Sequence, residues 1–207
     1  FAGIGILIDS AGDDSYRAFY SSQGHSRPNG YGLLYDASGN DHYELVPSEP
    51  QVYNWFEGFQ DNLSMGQGGS TGYRADCYNG VCLSGGFAML RDATGDDAYW
   101  ASVMSQGEGY WMGMGVLADA SGNDQYEALV YSQGSTQHFA LAAFLEGGGD
   151  DTYNVESPIQ HALPGLSHDF SVTAFVDDGG DDIYFGPSGS FGAAKCHGMV
   201  IFVDNGG

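Results

Sequence analysis

The sequence predicts an all-β fold, a parallel β-solenoid of about 27 residues per coil, and three observations carry that prediction. One eight-residue block recurs along the chain, apolar residues alternate with variable ones on either side of it, and 34 of the 207 residues are glycine. Glycine destabilises a helix interior by about 1 kcal/mol per site, so a chain this rich in it is poorly suited to helices. Stacked short strands joined by tight corners tolerate it well.

The block reads acid, two small residues, Gly, Asp or Asn, Asp, any residue, Tyr. It is complete at Asp9 to Tyr16, Asp36 to Tyr43, Asp92 to Tyr99, Asp119 to Tyr126, Glu146 to Tyr153 and Asp177 to Tyr184, and a seventh copy opens at Asp204. The first acids stand 27, 56, 27, 27, 31 and 27 residues apart. A fixed period of this size is the signature of a repeat architecture in which each unit buries its apolar face only against its neighbours.

The residues before each block predict the first strand. Two positions before the acid stand Leu7, Leu34, Leu90, Leu117, Phe144, Phe175 and Phe202, and two further back stand mostly small residues, from Gly5 and Gly32 to Val200. The intervening position varies freely, as Ile8, Arg91 and Val203 show. That parity of two describes a strand with one buried face. After the corner, the sixth-position Asp, the Tyr and the residue two beyond it share parity, which predicts a second strand with Tyr facing inward. The coil length leaves room for a third strand, and right-handed coiling is expected of a parallel β-solenoid.

A Gln lies 14 residues after the first acid at Gln23, Gln106, Gln133 and Gln160, and it is read as an internal amide ladder. Gln67 holds the same position in the 56-residue interval, which is therefore read as one coil carrying two loops, at about 47–63 and 69–84. Long loops on a rigid scaffold are where binding usually sits. Trp55, Phe56, Phe59, Tyr73, Asp76 and Tyr78 are the candidate ligand-binding residues of those loops. Cys77 and Cys82 flank an Asn-Gly turn, and a disulfide between them is left open. The six histidines form no close ligand pair in sequence and are read as surface or loop residues, and no catalytic residue is assigned.

The acidic corner carries the chemistry. Each copy gathers carboxylates that the next coil places about 4.8 Å away, and stacked carboxylates repel. A hard dication held by Asp, Asn and backbone oxygens would neutralise them, and calcium takes 6 to 8 such ligands in adaptable geometry. The candidate ligands are Asp9, Asp13, Asp14, Asp36, Asn40, Asp41, Asp92, Asp96, Asp97, Asp119, Asn123, Asp124, Glu146, Asp150, Asp151, Asp177, Asp181 and Asp182. The competing reading is that Asp, Asn and Gly serve only as turn formers bonded to backbone amides.

Gly39-Asn-Asp-His-Tyr43, Gly122 to Tyr126 and Glu146 to Tyr153 resemble the calcium-binding nonapeptide of RTX proteins, Gly-Gly-x-Gly-x-Asp-x-apolar-x. That resemblance implies that Asp14, Asp41, Asp97, Asp124, Asp151 and Asp182 hold calcium between coils. It covers one corner per coil, and an acid usually replaces the family's first Gly. The chain also resembles uncharacterised exported bacterial repeat proteins built from Asp-x-x-Gly-Asp-Asp-x-Tyr blocks, which implies no particular activity.

Five Lys and Arg against 27 Asp and Glu give a net charge of -22, which excludes a nucleic-acid binder working through a basic face. No apolar run reaches the roughly 18 residues of a membrane span. The sequence reads as one repeat domain, residues 1–207, cut from a longer chain. The expected function is a non-enzymatic, calcium-stabilised solenoid, secreted or at the cell surface, acting as a structural, adhesive or filament-forming module with end-to-end self-association as a possible mode. The alternative is a polysaccharide-binding or polysaccharide-cleaving β-helix that uses the two loops.

Overall fold

The computed structural model describes residues 2–46, 65–72, 77–78, 81–82, 84–156 and 163–207, with 77–78 and 81–82 described through the backbone alone. Among these residues the chain is an all-β parallel solenoid without helices. Three parallel sheets of seven, six and three strands run along the stack.

The first sheet has seven strands, Ile4–Ile8, Tyr31–Tyr35, Phe87–Arg91, Met114–Ala118, Leu141–Glu146, Val172–Asp177 and Met199–Asp204. Its register sets Leu34 on Leu7 and on Leu90, then Leu117 on Phe144 and Phe175 on Phe202. The second sheet, Ser15–Ala18, His42–Leu45, Ala98–Trp100, Gln125–Glu127, Thr152–Tyr153 and Ile183–Tyr184, stacks the block tyrosines directly on one another. The third sheet is narrower, Ser70–Thr71, Gly109–Tyr110 and Thr136–Gln137, and single bridges extend it from Ser26 to Ala194.

The core is two columns meeting inside the coil. Leu34, Leu90, Leu117, Phe144 and Phe175 and the rings of Tyr43, Tyr99, Tyr126 and Tyr153 are all buried. Successive tyrosine rings stack nearly parallel, with centroids 4.8 Å apart from Tyr43 to Tyr99 and from Tyr99 to Tyr126. Phe144 meets Tyr126 edge-on at 5.0 Å. Both arrangements lie in the favourable range for aromatic pairs. The small residues four before the acid have a physical cause. A Cβ on Gly115 would stand 2.0 Å from the Glu108 carbonyl, because the third sheet passes directly behind the first.

Across the 56-residue interval Tyr31–Tyr35 pairs directly with Phe87–Arg91, and Ser70 pairs with Gly109, so residues 65–72 complete the same coil. Cys77–Tyr78 and Val81–Cys82 form an antiparallel pair with Cys77 opposite Cys82, while the side chains of both cysteines lie outside the described residues.

The glutamines behave differently from an amide ladder. Gln106 Nε2 donates to the carbonyls of Tyr99 and Glu127, and Gln67 Nε2 to those of Tyr43 and Trp100. Gln106 and Gln67 therefore tie the third face to two successive rungs of the tyrosine sheet, using the second lone pair that every carbonyl offers, whereas Gln133 donates to the Tyr126 carbonyl and exchanges bonds with the Asn154 side-chain amide. Left-handed backbone, with φ near 50°, is common to Gln23, Gln67, Gln106 and Gln133, and Gln160 lies outside the described residues.

Leu117 is fully buried, whereas Leu7 in the outermost strand is 43% exposed. Leu117→Ala is expected to lower unfolding free energy by about 2–5 kcal/mol, and Leu7→Ala by under about 1 kcal/mol. Urea denaturation of the two variants checks this, and equal losses would contradict the assignment of the core.

Candidate metal centre

Each corner between the first and second sheets is built by one repeated set of bonds. The first acid accepts backbone amides within its own turn, as Asp92 Oδ1 does from Thr94 N at 3.2 Å, which is an Asx turn. Its other oxygen accepts the tyrosine hydroxyl of the preceding coil. Tyr43 reaches Asp92 at 2.5 Å, Tyr99 reaches Asp119 at 2.6 Å and Tyr153 reaches Asp177 at 2.7 Å. Glu146 breaks the pattern. Its longer side chain turns back to the Gly148 amide, and the Tyr126 hydroxyl is left without a well-formed bond.

The sixth-position Asp forms a second ladder. Its Oδ1 accepts the amide of the equivalent Asp one coil earlier, Asp41 N to Asp97 at 2.6 Å, Asp97 N to Asp124 at 2.7 Å and Asp124 N to Asp151 at 2.6 Å. The Oδ2 atoms of Asp41, Asp97, Asp124, Asp151 and Asp182 are buried with no hydrogen-bond partner. The fifth-position residues, Asp13, Asn40, Asp96, Asn123 and Asp150, lie on the exposed side and accept the amide of the following coil. Gly95 permits this close stacking, because it has φ 150° and a Cβ there would stand 1.5 Å from the Gly39 carbonyl.

Each sixth-position Asp stands among the first acids of its own and the next coil. Asp9, Asp14 and Asp36 offer ligand atoms within 4.8 Å of one another, and so do Asp36, Asp41 and Asp92, then Asp92, Asp97 and Asp119, then Asp119, Asp124 and Glu146. All the residues of the last three triads are buried. Each coil thus supplies two inward carboxylates, the charge that one divalent cation per coil would balance. Asp150 and Asp181 of the predicted set stand on the outer ladder, and Asp151, Asp177 and Asp182 continue the inner columns.

Burial is the main cause of the electrostatics at these groups. It pushes Asp41 and Asp92 up to about 6, Asp151 to about 7, Asp97 to about 8, Glu146 to about 9 and Asp124 to about 10, with neighbouring carboxylates adding to the shift. Tyr99 and Tyr153 are likewise raised by burial and by the acids beside them, so their hydroxyls stay protonated donors.

A second group of side chains meets at the corner between the third and first sheets. His168, Asp169 and Cys196 bring ligand atoms within 4.8 Å of one another, and His138 bonds to the far oxygen of the same aspartate. Histidines read from the sequence as surface residues are therefore partly internal, His138 with only 13% of its side chain exposed. The signal for this cluster was the repeat register, since Cys196 stands one period of 27 after Asp169. The candidate loop residues Trp55, Phe56, Phe59, Tyr73 and Asp76 lie outside the described residues, and Tyr78 is described by its backbone alone.

Comparisons with models of protein families, with curated proteins and with solved structures give no match. No helix among the described residues is long and apolar enough to cross a membrane.

The pH dependence has a defined sign. The inner acids bind their protons more tightly when folded than at the ordinary Asp value of 3.8. Without a cation, their stabilising contribution is complete below about pH 4 and is lost as pH rises through 6 to 9. In chelator, the thermal midpoint is expected to fall between pH 5 and 9, and calcium added at pH 8 is expected to restore it. A midpoint independent of both pH and calcium would contradict this reading of the corner.

Proposed function

We propose that the chain is a non-enzymatic β-solenoid stabilised by calcium at its acidic corner, secreted or at a cell surface, and used as a structural, adhesive or filament-forming module. One observation carries the reading: a column of inward carboxylates, two per coil, with a buried unpaired oxygen on each sixth-position Asp from Asp41 to Asp182. Their donors are all hard oxygens, which suit calcium and not a soft metal. Calcium at the level found outside cells fits sites of modest affinity, in the range of about 10⁻⁴–10⁻³ M for extracellular modules. The resemblance of the corner to RTX repeats points the same way. Inward-facing Leu7 on one outer strand is 43% exposed where its equivalents Leu34 and Leu90 are buried, which gives an apolar edge that a second copy could cover.

The test uses Asp97→Asn, which keeps an oxygen to accept the Asp41 amide. In chelator at pH 8 this variant is expected to melt higher than the parent, because a buried ionisable group has gone. Its stabilisation by calcium should be smaller, and calorimetry should find one ion fewer per chain. Equal calcium binding by the two proteins, or none by either, would contradict the proposal.

A second reading, binding of a neutral polysaccharide, is favoured by a groove of about 410 Å³ on the outer face of the tyrosine sheet. Trp100 stands in register between Glu44 and Glu127, and Ala98 between His42 and Gln125, so the small side chain leaves space beside the indole. Glu127 is held by the Glu156 amide at 2.8 Å. An aromatic face flanked by carboxylate acceptors suits a sugar ring and its hydroxyls. Calorimetry with neutral oligosaccharides is expected to show binding that Trp100→Ala abolishes. Binding lost instead in Trp55→Ala would return the site to the inserted loops.

A further inference from the structure

The geometry points to a second metal site, chemically distinct from the carboxylate column, in which His168, Asp169 and Cys196 bind a zinc-type transition-metal ion. The three residues supply one nitrogen, one oxygen and one sulfur, the donor set of zinc and not of calcium. Their ligand atoms lie within 4.8 Å of one another. His168 Nδ1 and Asp169 Oδ1 are 3.1 Å apart, close to the separation of two ligands bound at about 2.0–2.1 Å to one ion with an angle near tetrahedral.

The backbone holds these groups in place without a metal. His168 N donates to the Thr136 carbonyl at 2.9 Å, and Phe170 N donates to the Cys196 carbonyl at 3.1 Å, so adjacent coils fix both halves of the site. Behind the cluster His138 Nδ1 bonds to Asp169 Oδ2 at 2.7 Å, leaving Oδ1 turned toward His168. A ligating carboxylate in such sites is commonly held by a hydrogen bond from outside, the role His138 fills here. His197 takes no part, because its ring stacks on Phe170 at 4.6 Å. The left-handed backbone at Asp169 and Cys196 is shared by Trp111 and His138 in the same column, so it belongs to the corner and is no sign of a site.

Cys196 is exposed and 34% of the His168 side chain is accessible, so an ion has an entry path and a fourth position faces solvent. On binding, the thiol releases its proton to solvent and the thiolate becomes the ligand. Three protein ligands with one open position is the arrangement of zinc sites that hold a water or an external group.

Cobalt(II) titration of the whole chain, with calcium in excess to occupy the carboxylates, tests the site. One cobalt per chain is expected, with a thiolate-to-cobalt charge-transfer band that zinc displaces. Cys196→Ser should abolish the band, and His168→Ala should weaken binding. His138→Ala should lower affinity by about 10–100-fold while keeping the band. The Cys77→Ser, Cys82→Ser double variant should retain the band, and because Cys196 is exposed, Cys196→Ser should melt as the parent does. Absence of the band in the parent, or its persistence in Cys196→Ser, would overturn the assignment.

Discussion

Like charges buried one coil apart are the constraint on which the rest of this structure depends. Two unit charges about 4.8 Å apart repel by about 3.5 kcal/mol at an effective dielectric of 20. The net stability of a domain is only about 5–15 kcal/mol. A fully ionised, uncompensated column of inner acids would therefore exceed the stability of the fold. The corner offsets part of this through fixed donors, namely turn amides, tyrosine hydroxyls and the amides of the Asp ladder. One oxygen of each sixth-position Asp from Asp41 to Asp182 is left over, and a proton or a cation must complete the set.

That constraint also explains why the corner is so uniform. Tyrosine is held at the end of the block because its ring stacks in the core while its hydroxyl reaches the acid of the next coil. Glycine is held at Gly95 because the coils stack at backbone contact there. The single replacement of Asp by Glu, at Glu146, shows the tolerance of the design. The Glu146 carboxylate bonds to its own turn and leaves the Tyr126 hydroxyl without a well-formed bond.

Much of this was legible in the sequence because translation along a solenoid turns sequence period directly into spatial neighbours. Leu117 and Phe144, or Asp97 and Asp124, are one period apart and stack one on another. Parity separated inward from outward residues in the strands, but the fifth-position and sixth-position acids were read as one ligand set, whereas the structure divides them into an outer and an inner ladder. The glutamine contacts were not legible, since a left-handed φ at Gln106 swings the amide across the interior to carbonyls of another sheet. The cluster of His168, Asp169 and Cys196 was missed for a related reason. Metal-ligand motifs are usually sought at helical or hairpin spacings, whereas a solenoid brings ligands together at the length of a coil. The two chemistries then sit on different corners, hard oxygens between the first and second sheets and a mixed nitrogen, oxygen and sulfur set between the third and first.

The most direct measurement is long-wavelength anomalous diffraction from crystals grown in calcium near pH 7. The account predicts a row of calcium peaks along the inner acid column, one per coil, each within bonding distance of an unpaired oxygen such as Asp97 Oδ2. Carboxylates bridged only by water, with no anomalous peak, would contradict it.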